Sequence, residues 1–268
     1  MIYFTNSYKC IYMRLGFIGT GQISKAVILG ILKSKIKFNK ILISKRNSKT
    51  SKFLSNQSKK IIVLDNNQKI LNSCDWVFLA VTPTVGNQIL KKLNFKKKHL
   101  VISFISTIKM KDLKKIVKVK AQIVRAIPLP PISLKKGPVP IFPPNKKVKN
   151  FFNNLGNVVE ISNENLSLNF WATSSMMAPF YEMLNNLSSW LINKGVKKES
   201  AQKYIASLFV ALSEDAFVKS KDFKKLVKDS QTPKGLNEQS IKQLKKLGFY
   251  NSLRKTTESI LKRLKKVK

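Results

Sequence analysis

Near the N-terminus, Gly16-Phe17-Ile18-Gly19-Thr20-Gly21-Gln22-Ile23-Ser24 has the residue types and spacing to hold a pyrophosphate. Gly19 permits a sharp turn, Gly21 lets backbone approach the ligand, and Ser24 stands where a small residue lets helix and strand pack closely. The N–H groups that open the next helix, in the segment Thr20-Gly21-Gln22-Ile23, would face the phosphates. The second apolar run, Ile41-Leu42-Ile43, ends in Ser44-Lys45-Arg46-Asn47. A site for NADH wants Asp or Glu there, for the ribose 2′-hydroxyl. Ser44 and Arg46 instead suit the 2′-phosphate of NADPH, the guanidinium through two hydrogen bonds. A further run ends in Ala80, Val81, Thr82 and Pro83, expected at the same edge of the sheet. NADPH is therefore the expected cofactor, and NADH the poorer fit.

These groups need a frame. Strand-like segments at 14–18, 40–44, 60–64, 75–81, 99–104, 121–126 and 157–161 alternate with helical patterns such as 23–34 and 112–117. That alternation signals a parallel α/β sheet. Residues 127–145 carry seven prolines and cannot form regular helix; an ordered loop with a short edge strand at 138–142 is expected. After Ser162 the pattern is helical, over 163–172, 178–194, 198–219, 238–247 and 250–266, with Gly195 and Gly248 as C-terminal caps. The expected architecture is an α/β Rossmann-like N-terminal domain with a mostly parallel sheet, over 13–161, followed by an all-α domain over 162–268. Residues 1–12 read as an extension ahead of a natural start at Met13. Apolar faces such as Tyr204, Leu208, Ala211 and Leu212 make the helical domain a candidate for dimerisation.

Composition excludes several classes. The longest apolar run, Trp76 to Val81, has six residues, against the roughly 20 that span a bilayer. No secretory signal pattern opens the chain, so a cytoplasmic protein is expected. Two cysteines and one histidine offer neither a disulfide framework nor a structural zinc site. His99 is expected at the surface, and Trp171 and Trp190 as core or dimer contacts. The net charge is +38, but only five of the 51 basic residues are arginine and the lysines are scattered. Nucleic-acid sites favour arginine. The lysines read as solvated surface and compositional drift, and nucleic acid is not an expected partner.

Taken together, the motifs resemble pyrroline-5-carboxylate reductase from Met13 to about Lys262. Gly16-Phe17-Ile18-Gly19-x-Gly21 and Leu79-Ala80-Val81-x-Pro83 match that family's cofactor half, and Asp65-Asn66 its adenosine-side Asn. Arg125-Ala126-Ile127-Pro128, Gly156-x-Val158-Val159-Glu160, Thr232-Pro233-x-Gly235 and Leu247-Gly248-Phe249 match later segments. The resemblance implies an NADPH-binding Rossmann domain, with Asn66 at the cofactor, a helical dimerisation domain, and active sites where subunits meet. It implies hydride transfer to the cyclic imine 1-pyrroline-5-carboxylate, giving proline.

The substrate side departs from the family. Its Asn-Thr-Pro is Leu129-Pro130-Pro131 here, its Ser-Gly-Ser-Gly-Pro is Ser175-Met176-Met177-Ala178-Pro179, and its Gly-Gly-Thr-Thr is Lys234-Gly235-Leu236-Asn237. Imine reduction needs a proton donor or relay but no histidine, so Thr232 and Ser175 are the catalytic candidates. Tyr181, Lys234, Gly235 and Asn237 are the substrate-binding candidates. Lys234 and Asn237 stand ready to replace the two lost threonines at a substrate carboxylate. The departures leave open an NADPH-dependent reductase of another small imine or carbonyl, or a homologue that binds NADP or a polyanion without catalysis. The β-hydroxyacid dehydrogenases share the glycine motif, but their catalytic Lys four residues before an Asn is Tyr181 before Asn185 here.

Overall fold

The computed structural model describes residues 13–219 and 222–266, and of residues 83, 84, 85 and 87 the backbone alone. The expected extension over 1–12 lies outside the described residues. One compact unit ends at Ser167 and a second begins at Leu168.

The first unit is built on an eight-stranded sheet. Its strands are β1 (Met13–Ile18), β2 (Phe38–Ser44), β3 (Ile61–Leu64), β4 (Trp76–Leu79), β5 (Leu100–Ser103), β6 (Gln122–Ala126), β7 (Pro138–Phe142) and β8 (Asn157–Glu160). Their order in the sheet is β3-β2-β1-β4-β5-β6-β7-β8. All neighbours are parallel except β6 and β7, which pair Arg125 with Phe142 and Ala126 with Ile141 in antiparallel fashion. β1 lies between β2 and β4, so the chain leaves it in one direction and later returns on the other side. The carboxyl ends of β1, β2 and β4 therefore frame a crevice where α/β sheets take their ligands.

Helices cover both faces: α1 (Gln22–Leu32), α2 (Ser48–Ser55), α3 (Asn67–Ser73), α4 (Pro83–Leu90), α5 (Met110–Val117) and α6 (Lys146–Phe152). Alternation along β1 decides which residue faces which layer. Leu15 and Phe17 join one buried cluster with Ile28, Phe78, Phe151 and Phe152, while Ile18 joins the other with Leu71, Val77, Leu79 and Leu113. Phe17 stacks on Phe78 with ring centroids 4.3 Å apart. On the second face, a Cβ at Gly16 would come within 2.6 Å of Cys74 Sγ, so α3 seats against β1 only because residue 16 is glycine.

Two expectations need correction here. Residues 138–142 form a strand, but an interior one, since β8 pairs beyond it. Proline lacks a donor yet keeps its acceptor; Pro140 O takes the Ile127 N–H at 3.1 Å, so the segment joins the ladder through its carbonyls. His99 is 1% exposed rather than on the surface. Its Nε2 bonds Leu71 O at 3.0 Å, and its Nδ1 accepts the Lys96 N–H at 3.1 Å. Both ring nitrogens thus find backbone partners, which is what allows an imidazole to be buried.

The second unit is all helical. α7 (Glu164–Ser174) leads into it, followed by α8 (Met177–Asn193), α9 (Lys198–Val218), α10 (Phe223–Asp229), α11 (Leu236–Lys246) and α12 (Phe249–Lys266). α10 was not foreseen: seven residues are too few for a periodic signal, although Asp222 caps it by accepting from the Lys224 and Lys225 N–H groups. Gly195 and Gly248 end their helices at φ +92° and +75°, as the expected caps require. No helix among the described residues is long and apolar enough to cross a membrane.

Candidate cofactor cleft and substrate-side residues

At the crevice a cleft of about 480 Å³ is lined by Gly19, Thr20, Gly21, Arg46, Asn47, Ser48, Lys49, Ala80, Val81 and Thr82. The two glycines there serve different ends. Gly19 has φ +102°, and a Cβ on it would meet Ala80 O at 2.4 Å, so the chain itself demands glycine. A Cβ at Gly21 would meet no atom within 4 Å and would project into open space. That space is what a pyrophosphate approaching the backbone requires. No side chain caps α1. Its first N–H groups, at Gln22 and Ile23, therefore remain for an anion, where the helix dipole also favours negative charge. The residues present fit a dinucleotide.

Behind the cleft, hydrogen bonds tie the turn after β1 to the turn after β2. The Gly19 N–H donates to Ser44 Oγ at 2.9 Å, and Ser24 Oγ donates to Gly19 O at 2.6 Å. Thr20 Oγ1 donates to Ser44 O at 3.1 Å and accepts the Asn47 N–H at 3.4 Å. Asn47 caps α2 by accepting the Thr50 N–H at 3.0 Å. Lys25 of α1 stands 4.2 Å from the centre of the Phe53 ring on α2, adding a cation–π contact between the two helices.

The structure thus gathers seven expected cofactor residues around one cleft: Gly19, Thr20, Gly21, Arg46, Ala80, Val81 and Thr82. Ser44 is a correction. It is 4% exposed and its hydroxyl holds the Gly19 N–H, so it lies beneath the cleft and supports the turn rather than presenting a hydroxyl to a phosphate. Asn66 caps α3, its side-chain oxygen accepting from the Gln68 and Lys69 N–H groups at 2.7 and 3.3 Å. The side chain of Pro83 lies outside the described residues; its backbone opens α4. Ser48 and Lys49 were missed. Their signal was the capping pattern Asn47-x-x-Thr50, which starts α2 at the cleft's rim.

Arg125 also went without an assigned role. It is 2% exposed, pairs with Glu164 at 2.6 Å, and donates to Ser106 O at 2.6 Å. The same Glu164 oxygen accepts the Met110 N–H at 2.7 Å, so one partly buried pair ties β6, the segment after β5, the start of α5 and the start of α7. Burial lowers the Arg125 pKa from its ordinary value, against the pull of Glu164, which raises it.

The substrate-side candidates lie in the helical unit. Ser175 follows α7, half-buried, with its hydroxyl donating to Ala172 O at 2.6 Å. Tyr181, 53% exposed, lines a hollow of about 260 Å³ with Leu184, Asn185, Ser188, Gln202, Ile205 and Ala206 of α8 and α9. Neither Ser175 nor the turn over 232–237 lines that hollow. Thr232 is exposed, and its carbonyl accepts the Gly235 N–H at 2.8 Å. Lys234 adopts φ +59° and its N–H donates to Glu238 Oε2 at 2.7 Å. Lys242 pairs with the other Glu238 oxygen at 2.7 Å, and both Lys242 and the Lys234 N–H hold that carboxyl below its ordinary pKa. Asn237 Nδ2 donates to Ser230 O at 2.9 Å. The Lys234 N–H and the Asn237 side-chain amide are thus engaged by the chain's own groups, with Glu238 standing as the local anion, while the exposed Lys234 ammonium takes part in neither bond.

A mostly parallel sheet with a cleft at its switch point, followed by a helical unit, defines a Rossmann-type architecture. Residues 14–107 match the family described as NADP oxidoreductase, coenzyme F420-dependent. Residues 165–267 match the family described as pyrroline-5-carboxylate reductase dimerisation. The chain is similar to pyrroline-5-carboxylate reductase of Haemophilus influenzae, at 25% identity over 202 residues, covering 71% of this chain and 73% of that protein. Its fold matches that of the Coxiella burnetii pyrroline-5-carboxylate reductase, with a TM-score of 0.82 at 22% identity over 96% of this chain and 98% of that one. It also matches the Plasmodium falciparum pyrroline carboxylate reductase solved with NADP bound, with a TM-score of 0.80 at 20% identity over 94% and 97%. The resemblance to pyrroline-5-carboxylate reductase therefore extends through both units.

Proposed function

We propose that the chain reduces 1-pyrroline-5-carboxylate to proline with NADPH. The observation that carries this reading is the order of the two matched families in one chain, an NADP oxidoreductase model followed by the pyrroline-5-carboxylate reductase dimerisation model. When bound, the nicotinamide supplies a hydride, two electrons and one proton, to the imine carbon. The chain's part is to hold and orient. The open backbone at Gly21 and the uncapped start of α1 take the pyrophosphate, and Arg46 and Lys49 at the rim take the 2′-phosphate. The imine nitrogen then needs one proton, which the Thr232 hydroxyl donates or relays from water, or the Ser175 hydroxyl once it gives up its bond to Ala172 O. We infer further a cytoplasmic homodimer, the dimerisation model supporting the second part.

The changed segments at 129–131, 175–179 and 234–237 favour a second reading, a small imine other than the pyrroline acid. The placement of Glu238 against the Lys234 N–H supports it, because a substrate carboxylate there would meet a like charge. Oxidation of NADPH is to be followed with pyrroline-5-carboxylate and with 1-pyrroline, which lacks the carboxylate. Turnover of the acid alone, with rescue of a proline auxotroph, is the result expected. Turnover of 1-pyrroline alone would replace the first reading by the second, and turnover of neither would overturn the first.

A further inference from the structure

Thr20 lines the cleft, yet it is only 2% exposed, and its hydroxyl faces the protein. That hydroxyl donates to Ser44 O at 3.1 Å and accepts from the Asn47 N–H at 3.4 Å. Ser44 and Asn47 are the two shoulders of the segment Lys45-Arg46, which carries the cleft's guanidinium. One oxygen therefore closes the cationic turn from below, and it belongs to a residue of the glycine turn. Other bonds fix what surrounds it. The Lys45 N–H donates to Leu64 O at 3.0 Å, Asn47 caps α2, and Ser44 Oγ returns the connection by accepting the Gly19 N–H.

We propose that Thr20 is a positioning residue for cofactor selectivity: its hydroxyl sets where Arg46 meets a 2′-phosphate. The inference rests on the NADPH reading above and goes beyond it. Thr20 reads no phosphate itself, since a buried hydroxyl donating once and accepting once is already occupied by backbone. A bidentate contact depends steeply on placement. Opening the turn at either shoulder moves the guanidinium relative to the pyrophosphate seat, while the seat itself, at Gly21 and the start of α1, stays where Gly19 and Ser24 hold it.

Selectivity is therefore expected to fail without a matching failure of dinucleotide binding. Dissociation constants for NADPH and NADH are to be measured by calorimetry on the full chain and on T20V, T20S, R46A and T20V/R46A, with thermal melting as the check on folding. T20V is expected to weaken NADPH by about tenfold, the scale of a lost buried hydrogen bond, and NADH by no more than about twofold. T20S keeps the hydroxyl and is expected to restore the NADPH affinity. In the R46A background, T20V is expected to add little, because the group it positions is gone. If valine at position 20 prevents folding, T20A is read by the same NADPH-to-NADH ratio. Equal weakening of both cofactors by T20V, or an undiminished effect of T20V in the R46A background, would overturn the proposal while leaving the NADPH reading intact. A wild-type chain that binds neither dinucleotide would overturn the cofactor reading and this inference with it.

Discussion

Arg46 places an exposed guanidinium at the rim of the cleft, and its proposed role at the 2′-phosphate sets the first expectation. R46A is expected to raise the dissociation constant for NADPH by roughly 10- to 150-fold, corresponding to about 1.5–3 kcal/mol for a charged hydrogen bond, and to leave NADH nearly unchanged. Titration with both cofactors checks this, and equal losses would show that another group reads the phosphate. Lys234 presents a different residue-scale question. It sits at φ +59°, where a Cβ crowds the backbone, and its N–H already serves Glu238. K234G is expected to stabilise the fold by about 0.5–1 kcal/mol, the relief of strain exceeding the added freedom of the unfolded chain. Thermal melting measures the gain. A fall in melting temperature would show that the lysine side chain contributes more than its backbone costs.

Between elements, the pair of buried Arg125 and half-buried Glu164 is the joint with most at stake. E164A would leave an almost fully buried guanidinium without its carboxylate and would free the Met110 N–H. A loss of about 3 kcal/mol is expected, and a smaller one for E164Q, which keeps an acceptor. Urea denaturation with an unchanged slope would measure it cleanly. His99 joins β5 to the end of α3, and burial lowers its pKa below the ordinary 6.5. Above 6.5 both folded and unfolded chains hold it neutral, and its contribution to stability is fully present. As pH falls below 6.5 the unfolded chain binds the proton first, so that contribution is lost until the folded pKa is passed. H99Q is expected to flatten this part of the stability curve between pH 7 and 5, roughly the range in which histidine titrates. An identical curve for wild type and variant would remove His99 as the cause.

For the whole molecule, assembly is the open quantity. Tyr204, Leu208 and Leu212 on α9 are 62%, 37% and 54% exposed, a run of apolar surface spaced along one helix. If that face is covered by a second copy, L212K is expected to shift sedimentation from dimer to monomer. A dimer that survives L212K would place the interface elsewhere. The net charge is +38, and the lysines among the described residues are exposed or half-buried. Such a surface holds polyanions weakly at low salt, and that affinity should collapse as salt rises.

The sequence by itself determined the periodic and the special. Alternating strand and helix patterns fixed the Rossmann-like half, since period 2 and period 3.6 leave different traces in the apolar residues. Gly19 was legible because its turn admits no side chain, Gly21 because a bare backbone leaves open space beside it, and Arg46 because a cation after β2 suits a ribose 2′-phosphate. What only the tertiary structure decided are the roles that depend on a distant partner. Ser44 reads as a phosphate ligand until Gly19, 25 positions away in sequence, takes its hydroxyl. His99 reads as surface until Leu71 O and the Lys96 N–H satisfy both ring nitrogens. Pro140 reads as an edge until Ile127 donates to its carbonyl. In each case the residue's chemistry is plain in the sequence, but a hydrogen bond is a property of two atoms, and only folding brings the second one within 3 Å or so.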